Sequence, residues 1–513
     1  MPASAAEGHG QEAHGQPVVE VRNKALLIVG VMLAMIMQVL DSTIANVALP
    51  HMQASLGATF DSVSWVLTSY ILATAIAMPL TGWLSDRFGS RRLFIASVAG
   101  FIITSMLCGI AVNLPEMVLF RVLQGASAAF VGPLSQTVML DITPREQHAK
   151  AMAIWGMGIM VGPIMGPILG GWLTDNYSWR WIFYINVPIG IATLAILIAL
   201  LPSRPVRRRS FDLFGFSMLA IGLAALQLML DRGQQEDWLQ SWEIRITLGI
   251  AIVGIWLFLV HMATGRRPMF EREMLTNRNF LIGLVFMANI GVLMMATMAL
   301  LPPMLQAVYG YPVFDTGLML APRGIGVLIS MAIAGQLAGR VDPRILIAGG
   351  MALAAASLWW MTRWSLDMDW NPVVWSGVLQ GLGLGFIFSS INLAAFATLP
   401  PRYRTDASSM LYLMRNVGAS VGISIVTAQL ARTVQTSHEL IGASITETSL
   451  APLNPHLVES AGGVGSNLFS MIDAEITRQA TMIGYINDFY LLMIVTLLSI
   501  PLVLLLKRPA EGR

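Results

Sequence analysis

The stretch Leu40-Asp41-Ser42-Thr43-Ile44-Ala45-Asn46-Val47-Ala48-Leu49-Pro50 places a carboxylate inside a long apolar helix. The sixteen residues before it, Ala25 to Leu40, carry no charge and a single glutamine. A charged side chain at membrane depth costs about 2.5–3.5 kcal/mol on insertion scales, so it persists only with a partner or a task. Asp41 is therefore either a protonated acid that packs between helices or the proton- or substrate-binding carboxylate of a transporter.

The rest of the chain supplies the membrane that this reading needs. Of 513 residues, 55% are hydrophobic and 12% charged, with a mean hydropathy of +0.67. A soluble protein carries about twice that charged share. The apolar residues fall into about fourteen blocks of about 20 residues, from 25–49 to 484–506, each long enough to cross a bilayer. The composition predicts an all-α polytopic membrane protein.

The basic residues test that count independently. Of 31 Lys and Arg, 22 fall in alternate loops on one side, among them Arg87, Arg91, Arg92, Arg145, Arg204, Arg207, Arg208, Arg209, Arg267 and Arg508. Six fall in the intervening loops and three, Arg121, Arg323 and Arg415, within spans. Loops rich in Lys and Arg are cytoplasmic, so both termini are expected in the cytoplasm and the number of spans is even. The net charge of +2 is a topology signal, and no contiguous basic face suggests a nucleic acid. The lone Cys108 excludes a disulfide framework. The first 21 residues are polar without a basic start, so no cleavable signal is expected. His9 and His14 in that segment fit a disordered tail better than a metal site.

Two halves are visible. Gly82, Leu84, Arg87 and Arg91 recur as Gly335, Leu337, Arg340 and Arg344, and Val122-Leu123-Gln124-Gly125 recurs as Val378-Leu379-Gln380-Gly381. The order and the nearly constant offset indicate two homologous sets of six spans, the parallel repeat of major facilitator transporters. The expected organisation is a cytoplasmic tail over 1–24, a six-helix bundle over 25–201, a linker with two inserted spans over 202–279, a second six-helix bundle over 280–506 and a tail over 507–513. Within the second bundle a long outward loop is expected over 433–482, with amphipathic patches around Leu440, Ile441, Ile445, Met471, Ile472 and Ile476 and room for an extracytoplasmic partner.

Four features carry mechanism. Gly82, Asp86, Arg87, Gly89 and Arg91 form a cytoplasmic cluster in which Asp86 can pair with an arginine and the glycines allow close helix approach, a latch that holds one conformation. Arg121 opens the fourth span and must face a cavity or an acid; Asp41 is the candidate in the first half, with stiffening through backbone carbonyls as the alternative. An arginine lowers a carboxylate pKa and burial raises it, so alternation between the two gives proton uptake on one side and release on the other. Gly158, Gly162, Pro163, Gly166, Pro167 and Gly170 give the fifth span a face of small residues for close packing and two proline bends. Asn46, Gln124, Met294, Met298, Arg323, Asn392 and Arg415 are the candidate cavity residues; methionines suit varied apolar ligands, and the two arginines suit an anion or an internal carbonyl. On this reading no acid lies at depth in the second half, Asp315 and Asp406 being near span ends, so coupling rests on Asp41.

Other classes lack their residues. There is no Gly-X4-Gly-Lys-Ser/Thr phosphate loop, no His-Glu-X2-His zinc motif and no mid-span histidine, so neither ATP, a metal nor an organic cofactor is expected, nor an enzyme activity.

The chain resembles the fourteen-span drug:proton antiporters of the major facilitator superfamily, and among them the EmrB-type permeases, over nearly its whole length. The resemblance rests on residues 40–50, the loop at 82–92, Arg121 to Gly125, Gly162 to Gly171, Trp181 to Gly190 and Leu230-Asp231-Arg232-Gly233. It implies an inner-membrane permease that works with a periplasmic adaptor and an outer-membrane channel and expels amphipathic toxic compounds, antibiotics included, in exchange for protons. It further implies proton coupling by Asp41 beside Arg121, an antiporter helix at 158–171, and adaptor contact by the long outward loop. Gly339 stands where Asp86 stands in the first half, so the second copy of the latch is incomplete.

Overall fold

A computed structural model describes residues 21–144, 147–203, 206, 209–266, 268–337, 340–444 and 466–507. Among these, fourteen helices are long and apolar enough to cross a membrane. They are α1 (Lys24–Ser55), α2 (Trp65–Phe88), α3 (Ser90–Ile110), α4 (Leu114–Asp141), α5 (Lys150–Asn176), α6 (Trp181–Leu200), α7 (Leu213–Arg232), α8 (Trp242–Thr264), α9 (Arg278–Val308), α10 (Phe314–Leu337), α11 (Pro343–Met361), α12 (Asn371–Ala397), α13 (Pro401–Ser444) and α14 (Phe469–Leu505). Helices are the open-ended elements that satisfy every backbone donor internally where no water reaches.

Glycine sets which helices pair, because lipid gives no hydrophobic drive for association and close backbone approach must supply it. In the first six spans α1 packs along α5, and Gly125 of α4 lies against the Tyr70 carbonyl of α2. The later six repeat the scheme: Gly291 of α9 lies against the backbone of Arg415 in α13, and Gly381 of α12 against that of Arg323 in α10. A Cβ at Gly291 or Gly381 would overlap that backbone.

Helices α7 and α8 pair through Gly222 and Gly254. Thr68 of α2 donates to Asp231 at the outward end of α7, and Ser424 of α13 donates to the Leu230 carbonyl at 2.9 Å. The inserted pair therefore bridges both bundles.

The outward connector differs from expectation. Helix runs to Ser444 and resumes at Ser466, so much of 433–482 is helical, and only 445–465, with Ile445, falls outside the described residues. The reason is the spacing of its apolar residues: Ile476 is buried, and Gly484 packs on Leu430 and Val434. Beyond the apolar span His438 meets Asp473 at 3.0 Å, while Leu440 and Met471 stay exposed. The segment 1–20, with His9 and His14, also lies outside the described residues, as do Arg145, Arg204, Arg207, Arg208, Arg267, Gly339 and the tail 508–513. At its edge Asn23 caps α1, accepting from the Leu26 N–H at 3.1 Å.

Candidate functional site

Asp41 and Arg121 are fully buried and in direct contact, with Arg121 Nη1 donating to Asp41 Oδ2 at 2.7 Å. The other carboxylate oxygen accepts from Gln124 Nε2 at 3.0 Å and from Asn186 Nδ2 at 2.8 Å. Arg121 also donates to Gln124 Oε1 (2.8 Å) and to the Val66 carbonyl (2.9 Å), and its guanidinium lies 4.2 Å from the Tyr70 ring centroid. Ser105 of α3 receives the second Asn186 N–H at 3.0 Å. Residues of α1, α2, α3, α4 and α6 thus converge on one carboxylate.

Helical register explains the convergence. Arg121 and Gln124 are three apart on α4 and share a face. The long arginine side chain reaches α1 because Gly125 lets α4 approach α2 closely. Arg121 Nη2, the Tyr70 hydroxyl and Asn186 Oδ1 have no hydrogen-bond partner. These groups leave the pair capacity to rearrange without breaking other bonds.

Helix α5 backs the same stretch of α1. Gly162 lies against Val39 and the Leu40 backbone, Gly166 against Thr43, and Gly170 against Ile44; Gly158 meets Met32 further down. Thr43, two residues after Asp41, donates to the Gly162 carbonyl at 3.2 Å. Pro163 and Pro167 lie within this helix without ending it.

The bundles are joined below the pair, in the halves that lie toward the 82–92 segment. Gln136 of α4 donates to Asn392 of α12 at 2.6 Å, and Trp155 of α5 stacks on Phe388 (5.8 Å) and meets Tyr412 edge-on (5.7 Å). Arg404 of α13 donates to Asp141 of α4 at 3.1 Å, both almost fully buried. A Cβ on Gly82 would run into the Asp406 carboxylate. Arg209, from the segment before α7, donates to Asp406 at 2.8 Å and lies 3.7 Å from Asp86. Burial works against the charge of Arg209, and Asp406, Asp86 and Glu271 together outweigh it and raise its pKa. The acid of the expected latch is thus tied to a linker arginine. Arg87 lies over the Trp83 and Phe88 rings, Arg91 donates to the Ile198 carbonyl at 2.7 Å, and Gly89 has φ +90°, which favours glycine.

Changing Arg404 to Ala leaves Asp141 buried without this cation, a loss worth about 3–5 kcal/mol for such pairs. It falls on the form closed at this end, so the closed-to-open ratio is expected to drop by at least a hundredfold. Spin labels at Lys150 and Arg402, exposed at this end of opposite bundles, read this as a longer distance; an unchanged distance contradicts the latch.

Several assignments change with the geometry. Gln124, expected in the cavity, belongs to the Asp41 cluster, because its register with Arg121 turns it inward. Asn392, also expected there, is bonded to Gln136 in the layer that joins the two bundles. Asn46 is exposed, Met294 buried and Met298 half-buried. Arg323 Nη2 lies 3.5 Å from the Met294 carbonyl, and Arg415 lies 4.5 Å from the Tyr412 ring centroid. The expectation of no acid at depth in the second half fails: Asp488 of α14 is fully buried. It lies early in an apolar block, where it reads as a boundary residue. Tyr70, Ser105 and the Val66 carbonyl carry no sequence signal, whereas Asn186 lies in the stretch 181–190 that already carried family resemblance.

Comparisons with known proteins agree with this architecture. A family model described as the Major Facilitator Superfamily matches residues 31–423. The chain is 36% identical over 503 residues to "Multidrug export protein EmrB" of Escherichia coli (strain K12), covering 96% of this chain and 97% of that protein. It is also 36% identical over 482 residues to "Fatty acid resistance protein FarB" of Neisseria gonorrhoeae, covering 93% and 95%. The crystal structure of the human organic anion transporter MFSD10 (TETRAN) superposes with a TM-score of 0.60 at 14% identity, covering 92% of this chain and 99% of that one, a likeness of fold alone.

Proposed function

The chain belongs to the Major Facilitator Superfamily, among its EmrB-type permeases, and on that premise we propose that it is a proton-coupled antiporter that exports amphipathic toxic compounds. The observation that carries this reading is the buried Asp41–Arg121 pair. A guanidinium stays charged, so a proton taken up by Asp41 leaves Arg121 as a buried cation without its counter-charge. Such a state costs several kcal/mol unless the arginine or its surroundings move. Protonation and conformational change are therefore one event. Tyr70 offers Arg121 a ring face and Val66 a carbonyl during the exchange. Thr43 and the Gly162 carbonyl pass the displacement from α1 to α5, the helix that meets α10 of the other bundle.

No organic cofactor enters this scheme. Inward passage of one proton yields about 2.3 kcal/mol per 100 mV, enough for a substrate gradient of roughly fifty-fold. In the full reading the chain is a bacterial inner-membrane permease with both termini cytoplasmic. It hands substrate to a periplasmic adaptor and through it to an outer-membrane channel, and the helical extensions beyond the apolar spans of α13 and α14 meet the adaptor. Efflux of a fluorescent amphipathic dye from proteoliposomes under an imposed pH gradient tests the antiport. Uphill dye movement that collapses with the gradient supports it, and dye movement indifferent to the gradient refutes it.

A second reading, export of an amphipathic anion such as a fatty acid, draws on Arg323 and Arg415. Both flank one stretch of α9: Arg415 lies against it at Gly291, and Arg323 reaches the Met294 carbonyl. The relative named for fatty acid resistance points the same way. Changing both arginines to Gln is expected to weaken binding of a long-chain fatty acid by about tenfold to a hundredfold per lost charged hydrogen bond, and to spare a cationic dye. Competition binding checks it; equal losses for both ligands make the arginines structural.

A further inference from the structure

Asp488 is a buried acid for which the mechanism above has no use. It lies on α14, fully buried, and neither carboxylate oxygen has a hydrogen-bond partner. Asp41, by contrast, accepts from three N–H donors, one of them the Arg121 guanidinium. A membrane-embedded carboxylate with neither is uncompensated, and compensation must come from outside the fixed charges of the protein.

Three observations relate its position to that of Asp41. Tyr184-Ile185-Asn186 of α6 recurs as Tyr485-Ile486-Asn487 on α14, immediately before Asp488, and Asn186 is a donor to Asp41. Gln124 recurs as Gln380, which is fully buried with neither amide atom partnered. Both acids lie about 25–30 Å along their helices from a cytoplasmic lysine, Lys24 for Asp41 and Lys507 for Asp488. The repeat differs at the cation, for Gly377 stands where Arg121 stands in the first half, and α9 contains no acid.

The neighbours supply no replacement charge. α14 packs on α9, α11 and α13. α9 and α11 carry titratable side chains only near their ends, Arg278 and Arg344 in the cytoplasm and Tyr309 just outside. On α13, Arg404, Asp406, Tyr412 and Arg415 lie in the cytoplasmic half, and Arg432, His438 and Glu439 at the outward end. Level with Asp488, one turn beyond the contact of Gly484 with Leu430 and Val434, α13 presents Val426 and Thr427. On α14 itself Tyr485 lies one turn away and is buried. Asp473, Glu475 and Arg478 precede the apolar block, and Tyr490 is exposed.

We propose that Asp488 is a second proton-binding carboxylate, the counterpart in the second bundle of Asp41, and that its proton exchanges during the transport cycle. In the first bundle the charge of the acid is met by Arg121, and in the second by a proton. The exchange rests on the antiporter reading; proton binding does not.

Infrared spectroscopy of the full-length protein in lipid nanodiscs at neutral pH tests the binding. The carbonyl band of a protonated carboxylic acid is expected in the native protein, absent in Asp488→Asn and restored in Asp488→Glu. Asparagine is close in shape to the neutral acid, and the glutamate variant separates loss of the group from loss of the fold. A band unchanged in Asp488→Asn overturns the proposal. Reversal potentials in proteoliposomes then read the protons moved per substrate, expected to fall by one in Asp488→Asn, whereas an unchanged ratio overturns the exchange. If native vesicles move no substrate against a proton gradient, the antiporter reading and the exchange both fall, and the infrared band still decides proton binding.

Discussion

Replacing Arg121 with leucine is expected to abolish transport and to destabilise the folded protein by about 3–5 kcal/mol, the usual loss when one member of a buried ion pair is removed. Asp41 would keep the donors from Gln124 and Asn186 and lose the cation that touches it. The paired change Asp41→Asn with Arg121→Gln removes both charges together and is expected to recover most of that stability. Unfolding curves of the native protein, the two single variants and the double variant in mixed micelles close the cycle. A coupling energy of about 2–4 kcal/mol agrees with a pair whose members depend on one another. Additive losses would mean that Arg121 is held by Val66, Gln124 and Tyr70, and that its contact with Asp41 is incidental.

Asp41→Asn is expected to have the larger functional effect. The amide keeps the shape of the side chain, so the substrate path and the glycine contacts of α5 with α1 stay in place. Downhill dye exchange should survive. Uphill accumulation should fall by roughly fifty-fold per 100 mV, the share driven by the proton that boards at this position. Inverted membrane vesicles energised by respiration measure the accumulation ratio directly. Accumulation equal to that of the native protein would make the carboxylate structural.

The fold was legible wherever one physical constraint ruled the residue type. Fourteen apolar blocks and the alternation of basic loops express the bilayer alone, and the described residues contain fourteen such helices. The glycines of α5 were readable because close helix approach tolerates little else, although their partner, residues 32–44 of α1, was not. Asp41 and Arg121 stood out because charge in an apolar run is costly, and their contact follows from register and reach.

What escaped has physical causes too. Tyr70 and Ser105 are ordinary residues on apolar helices, and their part in the cluster depends on how five helices meet. Asp488 lies close to the outward boundary of its block, where an acid normally faces water; its burial comes from the packing of α14 on α11 and α13. Arg209 read as one of several cytoplasmic basic residues, and only the folded linker brings it to Asp406 and Asp86. The connector at 433–482 looked irregular because hydropathy drops there, yet helix needs only one apolar stripe to pack, and Ile476 provides part of it.

The account stands or falls on whether protons move with substrate through Asp41. Proteoliposomes loaded with a pH-sensitive fluorophore, given a gradient of amphipathic dye and no initial pH difference, measure that movement directly. Native protein should drive protons in the direction opposite to the dye, and Asp41→Asn should move at least one proton fewer for each dye molecule. Proton movement by Asp41→Asn at the native rate, or none by the native protein while dye flows, would contradict it.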